Sequence, residues 1–470
     1  MRLSPHLPVP LVLLLATAAA QDGGSSFGHA RARELAELGR LPSARDVVVR
    51  DLVNYHRHRL PLPAAGEDVA LDVRFDRPGA RAGDEVWLQI GYTTGTLGDR
   101  SLAPPCAVAI VVDTSGSMAE AGKLTAVQAG LRAFADRLRP DDEVALVCFA
   151  TEARVIAGMR RRGDGRWLLD AIEGLRAEGS TNLHAGLMLG LDELTRADTG
   201  SRTRRAIVLT DGIANTGVTD PARIVGDATA RAETTIDIST IGVGQDLDVP
   251  TLQHIADGAR GLFHFVADSA DVQKVFVSEA EALLAPVARR VRLQVTLPDE
   301  VEPLQWYDER VRAGATAREL RADLPDLNAG ATGVVVVRCR LGDRGLDTAV
   351  VRAAMTFESA AARRETSVGS MFAGWRAMPR GLALAPSTDA IDLEVRKNAA
   401  IAVLSRGLAD MAASCDARRW ADADRALQRA VDDARRLFPS TDDADLQRVR
   451  EIADGHARTL RRYVDRFRDI

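Results

Sequence analysis

At 470 residues, with 46% apolar and 27% charged side chains, the chain is long enough for more than one domain and a large buried core. Its net charge of −5 at pH 7 implies no nucleic-acid surface and no strongly acidic or basic partner. Only Lys123, Lys274 and Lys397 of its 61 basic residues are lysine, and short runs such as Arg160-Arg161-Arg162 read as solvated faces.

In chain order, residues 1–20 come first. Arg2, the apolar run Val9–Ala16 and the small residues Ala18-Ala19-Ala20 before Gln21 have the form of a secretory signal peptide, too short for a membrane span. The mature protein is therefore expected to be periplasmic or secreted. Residues 21–64 read as an N-terminal helical or extended segment. Within it, His56-x-His58 offers two imidazoles without an evident third ligand, so both are expected to be partly exposed strand residues. Within residues 65–100, the segment Val69–Thr94 alternates in polarity, as in Val69, Leu71, Val73 and Phe75 and then Val86, Leu88 and Ile90. That is the pattern of half-buried strands, too few to make a core alone.

The next stretch changes character. An apolar run, Ala107–Val112, ends in Asp113-Thr114-Ser115-Gly116-Ser117, and a helical pattern Leu124–Leu138 follows. The strand Val144–Phe149 and the pair Val155-Ile156 read as a hairpin. Helical patterns at Arg166–Arg176, Leu183–Arg196, Pro221–Glu233 and Leu247–Asp257 then interleave with strands at Ala206–Leu209, Thr235–Val243 and Leu262–Val266. Such alternation predicts a doubly wound α/β unit, a mostly parallel sheet covered on both faces, over residues 105–286. Ligands of such sheets bind outside the carboxyl ends of the strands. Asp113, Ser115 and Ser117 fall at one strand end and Asp211, in Leu209-Thr210-Asp211-Gly212, at another. Thr181, in Gly179-Ser180-Thr181-Asn182-Leu183, lies on a loop able to reach them. Hydroxyl and carboxylate oxygens are hard donors that suit Mg2+, or Mn2+ or Ca2+, over zinc or copper. The plainer reading of the same residues is as turn formers and helix caps.

Asp113, Ser115, Ser117, Thr181 and Asp211, in this order and setting, resemble the metal-ion-dependent adhesion site of a von Willebrand factor A (VWA) domain. The resemblance implies that Ser115, Ser117 and Thr181 coordinate the ion directly while Asp113 and Asp211 act partly through water. An ion so held is under-neutralised, and a protein ligand presenting Asp or Glu would complete it. Asn54–Pro63, Val86–Gly91, Ile241–Gly244, Ile255–Phe263 and Glu319–Leu341 are similar to segments of a bacterial family of exported VWA proteins. Many of those carry a lipidated Cys at the cleavage point. This chain has Gln21 there, so no stable membrane anchor is expected. In VWA domains that change affinity the final helix can shift, and Ser269–Leu284 is the corresponding stretch.

Strand patterns return at Val291–Leu297, Val334–Leu341 and Thr348–Phe357. Residues 287–375 are therefore expected to complete a β-sandwich begun by residues 65–100, with the VWA (Rossmann-like) domain inserted between its halves. Residues 388–470 form a C-terminal helical region, with helices expected over Ile391–Ala413, Trp420–Leu437 and Asp443–Phe467 as a small bundle. Cys106, Cys148, Cys339 and Cys415 make no metal or redox motif and are expected to be buried thiols. The sequence thus points to a metal-dependent adhesion or scaffold module of the bacterial envelope or exterior. The alternatives are a structural envelope-assembly component with a stabilising metal and, further off, a metal-dependent hydrolase. No enzyme is expected, because position 115 is Ser where an Asp-x-Asp phosphotransferase needs a carboxylate, and no Gly-x-Ser-x-Gly elbow is evident.

Overall fold

The computed structural model describes residues 27–77, 79–81, 83–95, 105–197, 203–232, 236–244, 247–266, 272–273, 275–277, 286–316, 318–342, 350–359, 364–373, 376–378 and 391–466. The expected signal peptide lies outside them, as does most of Ser269–Leu284. Among the described residues, three strands precede the inserted domain: β1 (Val69–Phe75), β2 (Gly79–Arg81) and β3 (Glu85–Thr94). Six build its sheet: β4 (Cys106–Asp113), β5 (Glu143–Phe149), β6 (Ala153–Arg161), β7 (Thr203–Thr210), β8 (Ile236–Val243) and β9 (Arg260–Val266). Nine follow: β10 (Pro286–Thr296), β11 (Val301–Trp306), β12 (Arg312–Ala313), β13 (Glu319–Asp323), β14 (Leu327–Asn328), β15 (Thr332–Leu341), β16 (Val350–Ser359), β17 (Glu365–Ala373) and β18 (Arg376–Met378).

The central sheet has the order β6-β5-β4-β7-β8-β9, parallel except for β6, which is antiparallel to β5. Every residue of β4 is buried, because helices cover both faces, and this is why its sequence is an apolar run without alternation. Val108, Ile110 and Val112 pack with Val127, Leu131 and Phe134 of the helix Lys123–Arg137 and with Leu168 and Ile172 of Arg166–Glu173. Ala107, Ala109 and Val111 face the helices Leu183–Thr195, Pro221–Ala232 and Val249–Gly258. Gly190 permits the closest of these approaches, since a Cβ there would lie 2.3 Å from Val111 Cγ2. From β4 the chain winds outward to β5 and β6, then returns to lay β7 against the other side of β4. That reversal leaves a crevice at the carboxyl ends of β4 and β7.

The flanking strands join as expected. One sheet has the order β1-β3-β15-β11, so that Ile90 of β3 pairs with both Val73 and Val335. The facing sheet runs β12-β13-β10-β16-β17. Val69, Phe75, Leu88 and Ile90 from before the inserted domain share one core with Leu293, Val337, Met355 and Phe357 from after it. The strands before the inserted domain are too few to bury a core alone, so they depend on this shared apolar surface.

Two expectations need correction. β3 is not half-buried, for Val86 to Thr94 are buried on both faces. The helix Leu393–Asp416 lies over the outer face, where Trp87, Val334 and Val336 pack with Val395 and Ala399, and Asn398 donates to Gln89 Oε1 at 2.8 Å. Gln89, which mimics a solvent-facing residue, is thus paired inside. The helices Trp420–Leu437 and Ala444–Arg466 complete this layer together with Phe27–Glu37 and Val49–Val53. His56 and His58, likewise, are buried and belong to no strand. Their rings lie 4.5 Å apart, His58 Nε2 meets Asn54 Oδ1 at 3.0 Å, and burial pushes the His56 imidazole down to about 4. All four cysteines are buried free thiols. No described helix is long and apolar enough to cross a membrane.

Candidate functional site

The site begins where β4 runs out of sheet. Asp113 closes the strand, and the extended Ser115 (φ −62°, ψ 164°) leads into the short 3-10 segment Gly116–Gly122. Asp113 is fully buried, with both carboxylate oxygens committed. Oδ1 accepts the Ser115 amide at 2.7 Å and Oδ2 accepts the Thr210 hydroxyl at 2.5 Å. Burial raises its pKa above the ordinary value and the nearby Asp211 charge adds to this, while the hydrogen bonds from Thr210 and Ser115 oppose it.

From Asp113 a line of oxygens crosses to β7. Ser115 Oγ lies 3.1 Å from Ser117 Oγ, and Ser117 Oγ donates to Asp211 Oδ1 at 2.7 Å. The other carboxylate oxygen of Asp211, Oδ2, accepts Lys123 Nζ at 2.7 Å. Ser117 is half-buried and Gly116 exposed, so the line opens to solvent on one side while Asp113 and Asp211 form its floor.

The Thr181 loop is clamped against both strand ends by its backbone. Gly116 N donates to the Gly179 carbonyl at 3.0 Å and Glu178 N to that of Thr114 at 2.7 Å. Thr181 N donates to Asn215 Oδ1 at 2.8 Å, and Asn215 N returns a bond to the Thr181 carbonyl at 3.1 Å. A Cβ placed on Gly212 would stand 3.6 Å from Thr181 Oγ1, so this hydroxyl lies beside the Asp211-Gly212 turn. Gly179 itself must be glycine. Its φ is +76°, and a Cβ would come within 2.6 Å of Thr151 Oγ1. Asn182 then caps the helix Leu183–Thr195 by accepting the Ala185 amide.

All five residues named from the sequence therefore meet at the crevice between β4 and β7. Three participants were not singled out there. Thr210 precedes Asp211 in the quoted motif and could have been suspected as a hydroxyl beside a buried carboxylate. Lys123 was visible only as one of the three lysines, and Asn215 carried no signal. Chemically the cluster is a set of hard oxygens with one ammonium. Among the described residues no group of three or more His, Cys, Asp or Glu side chains could hold a metal, so any ion here depends on the hydroxyls. Their spacing suits one. Oxygens bound at about 2.1 Å to a cation in octahedral array stand about 3.0 Å apart, the spacing seen along Ser115, Ser117 and Asp211.

Residues 107–277 match the family model of the von Willebrand factor type A domain. The chain contains a VWA domain. It is 28% identical over 310 residues to the uncharacterized protein YfbK of Escherichia coli (strain K12), covering 64% of this chain and 52% of that one. It is 29% identical over 178 residues to the uncharacterized protein sll0103 of Synechocystis, covering 38% of this chain and 41% of that one. Inter-alpha-trypsin inhibitor heavy chain H3 of Mesocricetus auratus matches at 25% identity over 238 residues, 48% of this chain and 26% of that protein. The chain thus spans about half the length of the bacterial relatives, and less of the animal one. Among solved structures, a von Willebrand factor type A protein from Catenulispora acidiphila superposes with a TM-score of 0.54 at 18% identity, over 82% of this chain and 96% of that one. That likeness concerns the VWA fold and the architecture around it.

Proposed function

We propose that this chain is a metal-dependent protein-binding module of the bacterial envelope or exterior, periplasmic or secreted. Asp113, Ser115, Ser117, Thr181 and Asp211 would hold Mg2+, or Mn2+ or Ca2+, and a protein partner would present an Asp or Glu carboxylate to it. The observation that carries this reading is the unbroken line of oxygens from Ser115 through Ser117 to Asp211 beside Asp113, at the crevice where β4 and β7 diverge. When bound, the ion supplies a hard positive centre for an external carboxylate oxygen. The protein's part is to place the donors. Thr210 and the Ser115 amide fix the Asp113 carboxylate, the Asn215 pair fixes the Thr181 loop, and exposed Gly116 leaves the approach clear. A binding role is favoured over catalysis because both Asp113 oxygens are engaged and position 115 supplies a hydroxyl rather than a second carboxylate.

Calorimetric titration with Mn2+ tests the reading. Wild-type protein should bind one ion, and Asp113→Ala should bind none while its circular dichroism is unchanged. Equal binding by the two proteins would refute the assignment.

A further inference from the structure

Lys123 is the first residue of the helix Lys123–Arg137, preceded by Gly122 in the left-handed region at φ +69°. Its side chain is 19% exposed, and Nζ sits 2.7 Å from Asp211 Oδ2. On its other side is the turn after β8, where a Cβ on Gly244 would stand 3.7 Å from Nζ. The ammonium is thus enclosed between a carboxylate of the candidate site and a glycine turn. In a chain where nearly every basic residue is arginine, lysine here is informative. A guanidinium is a broad planar fork, whereas an ammonium is a compact point charge that fits such a gap.

The charges at the site follow from these contacts. Asp113 and Asp211 bring two formal negative charges, and Lys123 cancels one of them. Without an ion the cluster keeps one net negative charge and every Asp211 oxygen has a donor. A divalent ion over-compensates the pair and leaves one unit of positive charge, which is what one carboxylate ligand neutralises. Without the lysine, the loaded site would be formally neutral and would attract an anion less.

We propose that Lys123 is a built-in counter-ion of the site: it occupies Asp211 when no metal is bound, holds metal affinity down, and sets the loaded site to accept a monoanionic group. This rests on the metal reading above. A unit charge about 5 Å from a divalent ion repels it, even at the dielectric of water, by an amount equivalent to roughly a tenfold change in affinity.

The test is a Mn2+ titration followed by calorimetry and by the electron paramagnetic resonance of free Mn2+, on full-length wild type, Lys123→Met, Lys123→Gln and Lys123→Arg. Both neutral variants should bind Mn2+ about tenfold more tightly than wild type and melt at lower temperature when metal-free, whereas Lys123→Arg, which keeps the charge, should show no gain in affinity. If Lys123→Met fails to fold, Lys123→Gln supplies the same comparison. Neutral variants that bind Mn2+ as wild type does, or more weakly, would overturn the proposal and leave the metal reading standing. Wild type that binds no Mn2+ would overturn both.

Discussion

The two ends of the VWA sheet use the same chemistry for opposite purposes. At the carboxyl end, two carboxylates lie beside an open approach and one of them, Asp211, is paired with an ammonium, that of Lys123. At the amino end, Asp237 of β8 is surrounded by Arg205 of β7 at 3.6 Å, Arg260 of β9 at 3.3 Å and Arg289 of β10 at 3.5 Å. Arg289 also pairs with Asp326 at 3.4 Å. Arg205, Asp237 and Asp326 are buried there, and the cluster spans the junction between the inserted domain and the sandwich. Charge left uncompensated at an open end is available to a ligand. Charge paired in a largely buried junction holds one domain against another.

The contrast can be broken at the closed end first. Asp237→Ala should cost about 3–5 kcal/mol in chemical denaturation, because it removes the buried carboxylate that Arg205, Arg260 and Arg289 surround. A loss under about 1 kcal/mol would show that the cluster does not lock the junction. The next effect is a pH dependence. Burial, with the Asp237 charge adding, pushes the Asp326 carboxyl up to about 6 while Arg289 and Arg205 oppose this. The folded state therefore holds this proton more tightly than the unfolded state does. The Asp326 contribution to stability is fully present below about 4 and falls away as pH rises through about 6, by up to about 3 kcal/mol. Asp326→Asn should remove that part of the slope, read as the difference between the two stability curves. Parallel curves across this range would contradict the assignment.

At the open end the expected changes are in ligand binding rather than in folding. Thr210→Val removes the donor to Asp113 Oδ2 and should weaken Mn2+ binding roughly tenfold, as loss of a partner that orients a metal ligand commonly does. Unchanged affinity would mean that Thr210 does not orient Asp113. Asn182→Ala removes the cap of Leu183–Thr195 and should cost about 1 kcal/mol by thermal denaturation. A change within error would assign Asn182 no capping role.

How much of this was visible beforehand follows the range of the interactions. The central sheet was legible because β4 and β7 are buried on both faces and read as apolar runs, and because each ends in a turn rich in oxygen donors. Trp420–Leu437 matched to the residue, since one apolar stripe carries its packing. β3 misled, because Gln89 and Thr93 look like a wetted face yet are buried, Gln89 against Asn398, which is remote in sequence. β17 went unseen for the opposite reason. Glu365, Thr366 and Ser367 carry little apolar signal in a strand specified by pairing with β16. At the site the donors could be named from their own types. The pairing of Lys123 with Asp211 could not, because it depends on where the start of the helix Lys123–Arg137 meets the turn after β7.

The most direct measurement is anomalous diffraction at the manganese edge from crystals grown with Mn2+. One peak within bonding distance of Ser115 Oγ and Ser117 Oγ, beside Asp113 and Asp211, is the expected result. A fully loaded crystal with no peak at the carboxyl ends of β4 and β7, or with its peak elsewhere, would contradict the metal-dependent reading.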